Sequence, residues 1–449
     1  MANLIGARVE RKEDKKFLTG KGRYTADINL AHQTYAYFVR SPHARAKITK
    51  VDHSKAMKAP GVIDIFTGEC VAKDKIGGLI CGWKIVSQDG KDMKCPPHPV
   101  LAKDSVNFVG DHVAVVIAET LEQAKNAAEL VSVSYKIQKA VTKTKEATSF
   151  ENIHEGIDNN LSFDFLLGDK GKTDEAFSKA DKIVKLDIVN NRLIPNAMEP
   201  RAAIGDFNTS SDELTLYTAS QNPHLDRLIM SAFNAVHPEH KFRIVAPDVG
   251  GGFGSKINVY AEDVVVAYAS KKIGRPVKWV AERSESFMSD NHGRDHVTHA
   301  ELAVSNDGKM IGIKVDTIAN LGAYSLVLAA VTPTYLYAPL LLGIYDIPTA
   351  CCTVKGVYTN TAPTDAYRGA GRPEATYVIE RIVTEAAKEI GMDQAEFRKK
   401  NFINKFPHQQ CLVHNIDSGD YNAHLDKAIE IADYKNFENR RSQSAKKGK

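Results

Sequence analysis

Two glycine-rich segments constrain this chain more than anything else in it: Gly250-Gly251-Gly252-Phe253-Gly254-Ser255-Lys256 and Ala366-Tyr367-Arg368-Gly369-Ala370-Gly371-Arg372-Pro373. Each breaks a strand-like run and opens a helix-like one, where backbone N–H groups are left free to hold an anion. Two such loops point to a large, multiply phosphorylated or elongated anionic ligand. The first is not a Walker loop, because Ser255 precedes Lys256. It is not a dinucleotide fingerprint either, since the third glycine would fall at Ser255 or Ile257. Its glycines let the backbone pass close to a ligand, Phe253 adds a rigid ring, and Gly254 permits a positive φ. The competing reading is a plain strand-to-helix turn. In the second loop Pro373 suits the first helical position and Glu374 the first turn. Arg368 and Arg372 frame Gly369-Ala370-Gly371, so an anion there would meet backbone donors and a guanidinium. The competing reading has both arginines paired with carboxylates elsewhere.

The 449 residues are enough for about two to four domains with full cores. A net charge of +4, from 59 basic and 55 acidic residues, is small, and no basic stripe with interleaved aromatics argues for nucleic acid. The six cysteines include no C-x-x-C pair, so no zinc or iron–sulfur motif is written here. Scattered thiols without an export signal fit the cytoplasm. Leu321 to Tyr345 carries one charge-free apolar stretch, but Pro333 and Pro339 interrupt it. Buried loops and short strands, not a membrane span, are expected there.

Strand signals cover Thr34–Val39, Val62–Phe66, Val109–Ala118 and Val131–Tyr135, with a helix over Thr120–Leu130. This β-α-β order closes an α+β unit near residue 140. Lys139–Gly156 reads as a polar linker. A helix capped by Thr173 and Asp174, strands at Lys182–Val189 and Glu213–Ala219, and a helix over Pro223–Phe233 follow. Phe242–Ala246 leads into the first loop, and Asn258–Lys272 is the helix after it. Asn306-Asp307-Gly308 marks a hairpin. Val378, Ile379, Ile382, Val383, Ala386 and Ile390 give an amphipathic helix after the second loop. Asp393 with Glu396 resembles a capping box, Ala423–Ala432 is the last helical pattern, and a polar, basic tail follows Phe437.

Other candidates are weaker. His292, His296 and His299 could suggest a metal cluster, yet a spacing of three on a strand sends side chains to opposite faces, so no metal ligand is assigned. Gln221, in Gln221-Asn222-Pro223-His224, could donate a hydrogen bond into a site at a strand edge; the alternative is a helix cap by Asn222. Met198-Glu199-Pro200-Arg201 is either a buried Glu–Arg pair or a catalytic carboxylate.

Together the two loops and Gln221-Asn222-Pro223-His224 resemble the molybdenum-hydroxylase family, which includes xanthine dehydrogenase, aldehyde oxidase and the aerobic carbon monoxide dehydrogenase large chain. The likeness spans nearly the whole chain. Ile5-Gly6-Ala7-Arg8-Val9 to Gly20-Lys21-Gly22-Arg23-Tyr24, with Phe38-Val39-Arg40-Ser41-Pro42-His43-Ala44, is similar to the family's start. The resemblance implies an α+β architecture: an N-terminal arm (1–18), an α/β hammerhead domain (19–140), a linker (141–160), a first molybdopterin-binding domain (161–405), and a helix and basic tether (406–449). It implies that Gln221, Phe253 and Arg368 act in catalysis. It further implies that Gln221, Gly251, Gly252, Phe253, Gly254, Tyr367, Arg368, Gly369 and Ala370 contact molybdopterin cytosine dinucleotide carrying molybdenum. Family members hydroxylate an aldehyde, an N-heterocycle or a similar small substrate with water-derived oxygen, a glutamate acting as base.

Two positions depart from the family. The carbon monoxide branch, which the rest of the chain resembles most, carries a copper-binding cysteine after Tyr-Arg, where this chain has Gly369. The purine branch carries a glutamate after the first loop's lysine, where Ile257 stands. Both departures argue against those substrates. Members of the family continue into a second molybdopterin domain that supplies the glutamate, whereas this sequence ends at Lys449. The expectation is therefore an N-terminal portion of a large subunit, inactive until a complementing C-terminal chain joins it. An iron–sulfur small subunit and an FAD medium subunit would complete the heteromer. The alternative is a non-catalytic cofactor-binding or assembly fragment.

Overall fold

The computed structural model describes residues 6–449; Ile5 and the four residues before it lie outside them. The first part of the chain forms β1 Thr34–Arg40, β2 Ala46–Asp52, β3 Val62–Thr67, β4 Ser105–Val106, β5 His112–Ala118 and β6 Ser132–Ile137. The rest forms β7 Leu161–Gly168, β8 Lys182–Asn190, β9 Ala202–Asn208, β10 Glu213–Thr218, β11 Phe242–Val245, β12 Val277–Val280, β13 His296–Val304, β14 Met310–Asn320 and β15 Ala350–Val357.

The strands build a seven-stranded sheet, β11-β10-β9-β12-β1-β5-β3, a five-stranded sheet, β7-β15-β14-β13-β8, and a small sheet, β4-β2-β6. The larger sheet is shared between the two parts of the chain, joined where Thr34 of β1 lies parallel to Val277 of β12. β5 is buried along its whole length between β1 and β3, as its unbroken apolar run requires. The stretch from β5 to β6 therefore does not make one β-α-β unit. Both edges of β5 are occupied, so β6 crosses over and pairs with β2.

The helix Ala261–Ile273 is buried almost all round against β9. Gly205 of β9 permits that approach, since a Cβ there would stand 2.7 Å from the Val266 carbonyl oxygen. The helix Arg372–Glu389 turns Ala375, Val378, Ile379, Ile382, Val383, Ala386 and Ala387 onto the second sheet. Each of the large aliphatics there contributes roughly 1.5–3 kcal/mol of burial. Asn306-Asp307-Gly308 makes the β13–β14 hairpin, with Gly308 at φ +83°.

Four local expectations change. The helix near Thr173 starts earlier, at Lys170, because Asp169 caps it by accepting the Lys172 N–H, while Thr173 is buried and bonds back to the Asp169 carbonyl. Leu321–Tyr345 contains no strand; turns and the short 3-10 turn Ala338–Leu340 fill the core instead. Its backbone polarity is partly satisfied by Thr332 and Thr334, whose hydroxyls bond back to Leu328 and Ala330. Residues 139–156 are not a free tether, since Val141, Ala147 and Ile153 are buried. After Phe437 the chain forms the helix Phe437–Lys446 with no buried residue, carrying an Arg441–Glu438 pair at 2.7 Å. Among the described residues no helix is long and apolar enough to cross a membrane.

Candidate functional site

β10 and β11 are parallel neighbours, so their C-terminal ends release Gln221 and the first glycine loop at the same edge. The Gln221 N–H donates to the Lys256 carbonyl at 2.8 Å. Its Oε1 accepts from the Gly254 N–H at 2.9 Å, with the Lys256 N–H at 3.4 Å. That network decides which way the carboxamide points and leaves its Nε2 donor facing outward on an exposed residue. Gly252 is required by this glutamine: a Cβ there would lie 2.3 Å from Oε1. Gly251 (φ +97°), Phe253 (φ +56°) and Gly254 (φ +110°) all lie in the left-handed region. Among the described residues, the N–H groups of Gly251, Gly252 and Phe253 meet no acceptor. The loop does not open a helix, however. Ser255 and Ile257 turn back onto Gly252 and Gly254, and the helix begins only at Ala261, behind a buried Tyr260 cap. The free donors belong to the loop itself.

The second loop meets the first directly. A Cβ on Gly254 would stand 2.1 Å from the Ala366 carbonyl oxygen. The Arg368 N–H donates to the Phe253 carbonyl at 2.9 Å, and the Arg368 guanidinium lies 5.6 Å from the centre of the Phe253 ring. Gly369 (φ +99°), Ala370 (φ +40°) and Gly371 (φ +84°) are left-handed in succession. Gly371 then caps the helix, placing Arg372 first and Pro373 second. Among the described residues neither Arg368 nor Arg372 has a carboxylate partner; Arg372 reaches only the Gly369 and Ala370 carbonyls, at 3.3 and 3.4 Å. Phe253, Arg368 and Gly369 are exposed, while Tyr367 and Ala370 are half-buried. Eight of the nine residues singled out for ligand contact thus belong to one pair of touching loops, and the ninth, Gln221, bonds to the first of them from the end of β10, alongside the exposed Met198.

Behind the loops stands a frame that sequence reading missed. Arg294 donates to the Tyr367 carbonyl (3.0 Å), the Arg368 carbonyl (2.9 Å) and Glu374 (2.9 Å), clamping the second loop to its helix. The Tyr260 hydroxyl lies 2.7 Å from the Ser255 carbonyl and 2.6 Å from Asn291 Oδ1, either of which can accept its single proton, and Asn291 Nδ2 donates to the Ala366 carbonyl at 3.3 Å, so Tyr260 and Asn291 tie both loops. In Met198-Glu199-Pro200-Arg201 the two charges do not pair with each other. Glu199 Oε2 accepts from the Gly250 N–H and from Lys256 Nζ, both at 2.7 Å, pinning the first loop. Burial holds the Lys256 ammonium pKa below its ordinary range, against the pull of Glu199. Arg201 instead pairs with Glu262 (2.9 Å) and Asp290 (2.6 Å) and stacks 3.7 Å above the Tyr260 ring. Arg40 adds a second guanidinium to Glu262 at 2.9 Å. Of this frame the sequence marks Glu199 and Arg201, within Met198-Glu199-Pro200-Arg201, while Arg294 lies unmarked between His292 and His296.

Those histidines do not converge. His292 sits beside Arg192, and burial with that neighbour lowers its pKa to about 4. His296 is buried against the edge of Tyr337, and His299 pairs with Asp187 on the other face of the strand.

Asp226 lies beneath Gln221, accepting from the Ser220 hydroxyl, and burial pushes its pKa up to about 7. The unfolded carboxyl ionises near 3.9, so between these values the folded chain holds a proton that the unfolded chain has released. Stability from this group is thus greatest at low pH and is lost as pH rises to about 7, by about 4 kcal/mol in all. Asp226→Asn should be more stable than wild type, with the gap widening by about 2–3 kcal/mol between about pH 5 and 8 in denaturant titrations. A gap independent of pH would refute it.

Residues 153–402 match the model of the molybdopterin cofactor-binding domain. Residues 19–139 match that of the aldehyde oxidase and xanthine dehydrogenase a/b hammerhead domain. The carbon monoxide dehydrogenase large chain of Hydrogenophaga pseudoflava is 36% identical over 444 residues, covering 94% of this chain and 53% of its own. The nicotinate dehydrogenase large molybdopterin subunit of Eubacterium barkeri is 28% identical over 402 residues, covering 89% of each. The crystal structure of quinoline 2-oxidoreductase from Pseudomonas putida 86 superposes with a TM-score of 0.92 at 29% identity, covering 99% of this chain and 56% of that one. The chain therefore spans about half the length of the first and last of these relatives. With both domain models matched in order, and a 36% identical relative aligned along nearly all of it, the protein belongs to the molybdenum hydroxylase family.

Proposed function

We propose that this chain is the cofactor-gripping part of a molybdenum hydroxylase large subunit, an oxidoreductase that hydroxylates an aldehyde, N-heterocycle or similar small molecule. The observation that carries this reading is the meeting of the two loops. Among the described residues, the Gly251, Gly252 and Phe253 amides without an acceptor, the Gln221 Nε2 donor and the Arg368 guanidinium without a carboxylate gather where the two loops meet. That donor set fits an extended anion of the molybdopterin dinucleotide kind; the cytosine form is carried over from the family likeness. When bound, the molybdenum cofactor supplies two-electron oxidation with water-derived oxygen.

The chain's own groups have separate parts in this reading. Gln221 donates to an oxygen near the reacting centre, because its own carbonyl is engaged by the Gly254 amide. Gly251, Gly252 and Phe253 offer amides to the anion, and Arg368, held over the Phe253 ring, bounds the opposite wall. Gly369 bears on the substrate. At φ +99° a Cβ would press within 2.5 Å of Pro373 Cγ, so a cysteine ligand is sterically excluded from this loop conformation. That speaks against copper-dependent carbon monoxide chemistry. The family names of the quinoline and nicotinate relatives favour a heteroaromatic ring.

The base and the rest of the pocket come, in this reading, from residues outside this sequence. The exposed Phe253 and Met198 beside the loops offer an apolar surface for them. The Eubacterium barkeri subunit, matched over 89% of its own length, supports a separate complementing chain. Iron–sulfur and FAD subunits would carry the electrons away.

Co-expression with the product of the adjacent reading frame should yield a complex that contains molybdenum and reduces a dye with a heteroaromatic or aldehyde substrate. A complex that binds molybdenum but reduces no dye with any substrate would favour an assembly fragment, and one without molybdenum would refute the reading. In the active complex, Gln221→Glu keeps the acceptor for Gly254 but loses the outward N–H. Turnover per molybdenum should fall about 100-fold or more with thermal stability near wild type. Unchanged turnover would remove Gln221 from the reacting centre.

A further inference from the structure

A sheet edge with nothing against it offers a row of backbone donors and acceptors to another strand, and folds normally blunt it. The other edges of the two large sheets are protected. β7 is covered by residues 87–94, where the Gln88 and Lys94 N–H groups donate to the Asp164 and Ser162 carbonyls, each at 2.8 Å. β11 has only four residues, and β3 carries a bulge between Val62 and Asp64. β8 has none of these devices. It runs nine residues in unbroken register with β13, and among the described residues no backbone group bonds to its outer edge. Ile183 (40% exposed) and Val189 (62%) are left open along it.

The residue order of β8 is self-complementary. Ile183, Lys185, Asp187 and Val189 share the outer face, while Val184 and Ile188 are buried against the core and Leu186 is half-buried between them. Place a second β8 antiparallel to the first, about a twofold axis at Leu186. Ile183 then stands opposite Val189 of the second copy and Lys185 opposite its Asp187, each pair made twice. On the core face Val184 meets Ile188 and Leu186 meets its own copy. Within the chain Lys185 already pairs with Glu301 at 2.6 Å, and Asp187 with His299 at 2.9 Å. Across the join the charges therefore run Glu301, Lys185, Asp187, His299, with no like pair side by side. A slip of two residues either way sets Lys185 against Lys185 or Asp187 against Asp187, and a slip of one turns the apolar positions to the wrong face. Charge and hydrophobic pattern select the same register.

We propose that β8 is a homodimerisation edge: a second copy of this chain pairs with it antiparallel over Lys182–Asn190, joining the two five-stranded sheets into one across a twofold axis at Leu186. The proposal does not depend on the cofactor reading. It satisfies the open backbone of both copies and covers Ile183 and Val189 in the same step.

The test uses the purified full-length chain, with any co-purifying partners. Light scattering after size exclusion should give two copies of this chain per particle. Lys185→Asp sets like charges opposite each other twice, and the dimer dissociation constant should rise about tenfold or more. Adding Asp187→Lys restores the complement and should restore the dimer, a rescue that mere damage to the fold would not show. Leu186→Cys, on the axis, should form a cross-linked dimer under mild oxidation that dithiothreitol reverses. Val189→Cys should not, since its own copy lies about six residues, or roughly 20 Å, along the strand. Wild type, with Cys411 exposed, is the background for both. One copy per particle, whatever other chain accompanies it, would overturn the proposal. So would a dimer that Lys185→Asp leaves as tight as before, or a Leu186→Cys chain that gives no cross-link above wild type.

Discussion

In the proposed complex, Gly254→Val should carry less than about a tenth of the wild-type molybdenum content. The substitution faces two obstacles at once. A backbone at φ +110° lies beyond what an L residue adopts without strain, at about 1–2 kcal/mol or more. The new Cβ would also start 2.1 Å from the Ala366 carbonyl oxygen, a backbone atom that no rotamer change can move. Relief requires the loops to separate, which breaks the Arg368 N–H bond to Phe253 and draws the guanidinium off the ring. Each 1.4 kcal/mol lost from the cofactor grip is about tenfold in affinity. Gly391→Ala is the control, since that glycine has φ +73° but nothing within 4 Å of its Cβ position. It bears the backbone strain alone and should load normally. Equal molybdenum in wild type and Gly254→Val, measured by elemental analysis, would show that contact between the loops is not what holds the cofactor.

Arg201→Met should cause the largest loss of fold stability, about 3–5 kcal/mol. Arg201 is buried, bidentate to Glu262 and bonded to Asp290. Glu262 keeps Arg40 and His112, at 2.9 and 3.0 Å, when Arg201 is removed. Asp290 has no other ion pair among the described residues, only the more distant field of Arg40, and burial already raises its pKa against the pull of Arg201. Much of the cost is therefore the stranded Asp290 carboxylate, and Arg201→Met with Asp290→Asn should recover part of it. Tyr260 also loses the guanidinium stacked on its ring, so the bonds tying Ser255 to Asn291 should loosen with it. Calorimetry should show the melting temperature roughly 5–10 °C lower, with the double variant in between. A shift indistinguishable from zero would mean that water replaces the guanidinium at no cost.

The helix Arg372–Glu389 was legible because its apolar positions repeat at the helical period on one face. The β13–β14 hairpin was legible because Asn306-Asp307-Gly308 matches the turn that joins antiparallel strands. Both glycine loops stood out because close backbone approach excludes side chains, a restriction written locally in residue type, and Gln221 stood out as a donor where a strand gives way to a helix. Arg294 carried no such mark. Its role depends on carbonyls at Tyr367 and Arg368, more than seventy positions away, that only folding brings within reach. The network of Arg40, Arg201, Glu262 and Asp290 was hidden for the same reason, its members being separated by up to about 250 positions with no period linking them.

Amino-acid order by itself determined where the backbone must run without side chains, which helix faces turn inward, and which family the chain resembles. Those are short-range matters of sterics and hydrophobic period. Tertiary structure decided that β1 and β12 lie side by side in one shared sheet, and that loops more than a hundred residues apart touch. It also decided that Glu199 holds Lys256 rather than Arg201. Such choices follow from competition among many partners for a few buried positions, which is settled only when the whole core packs.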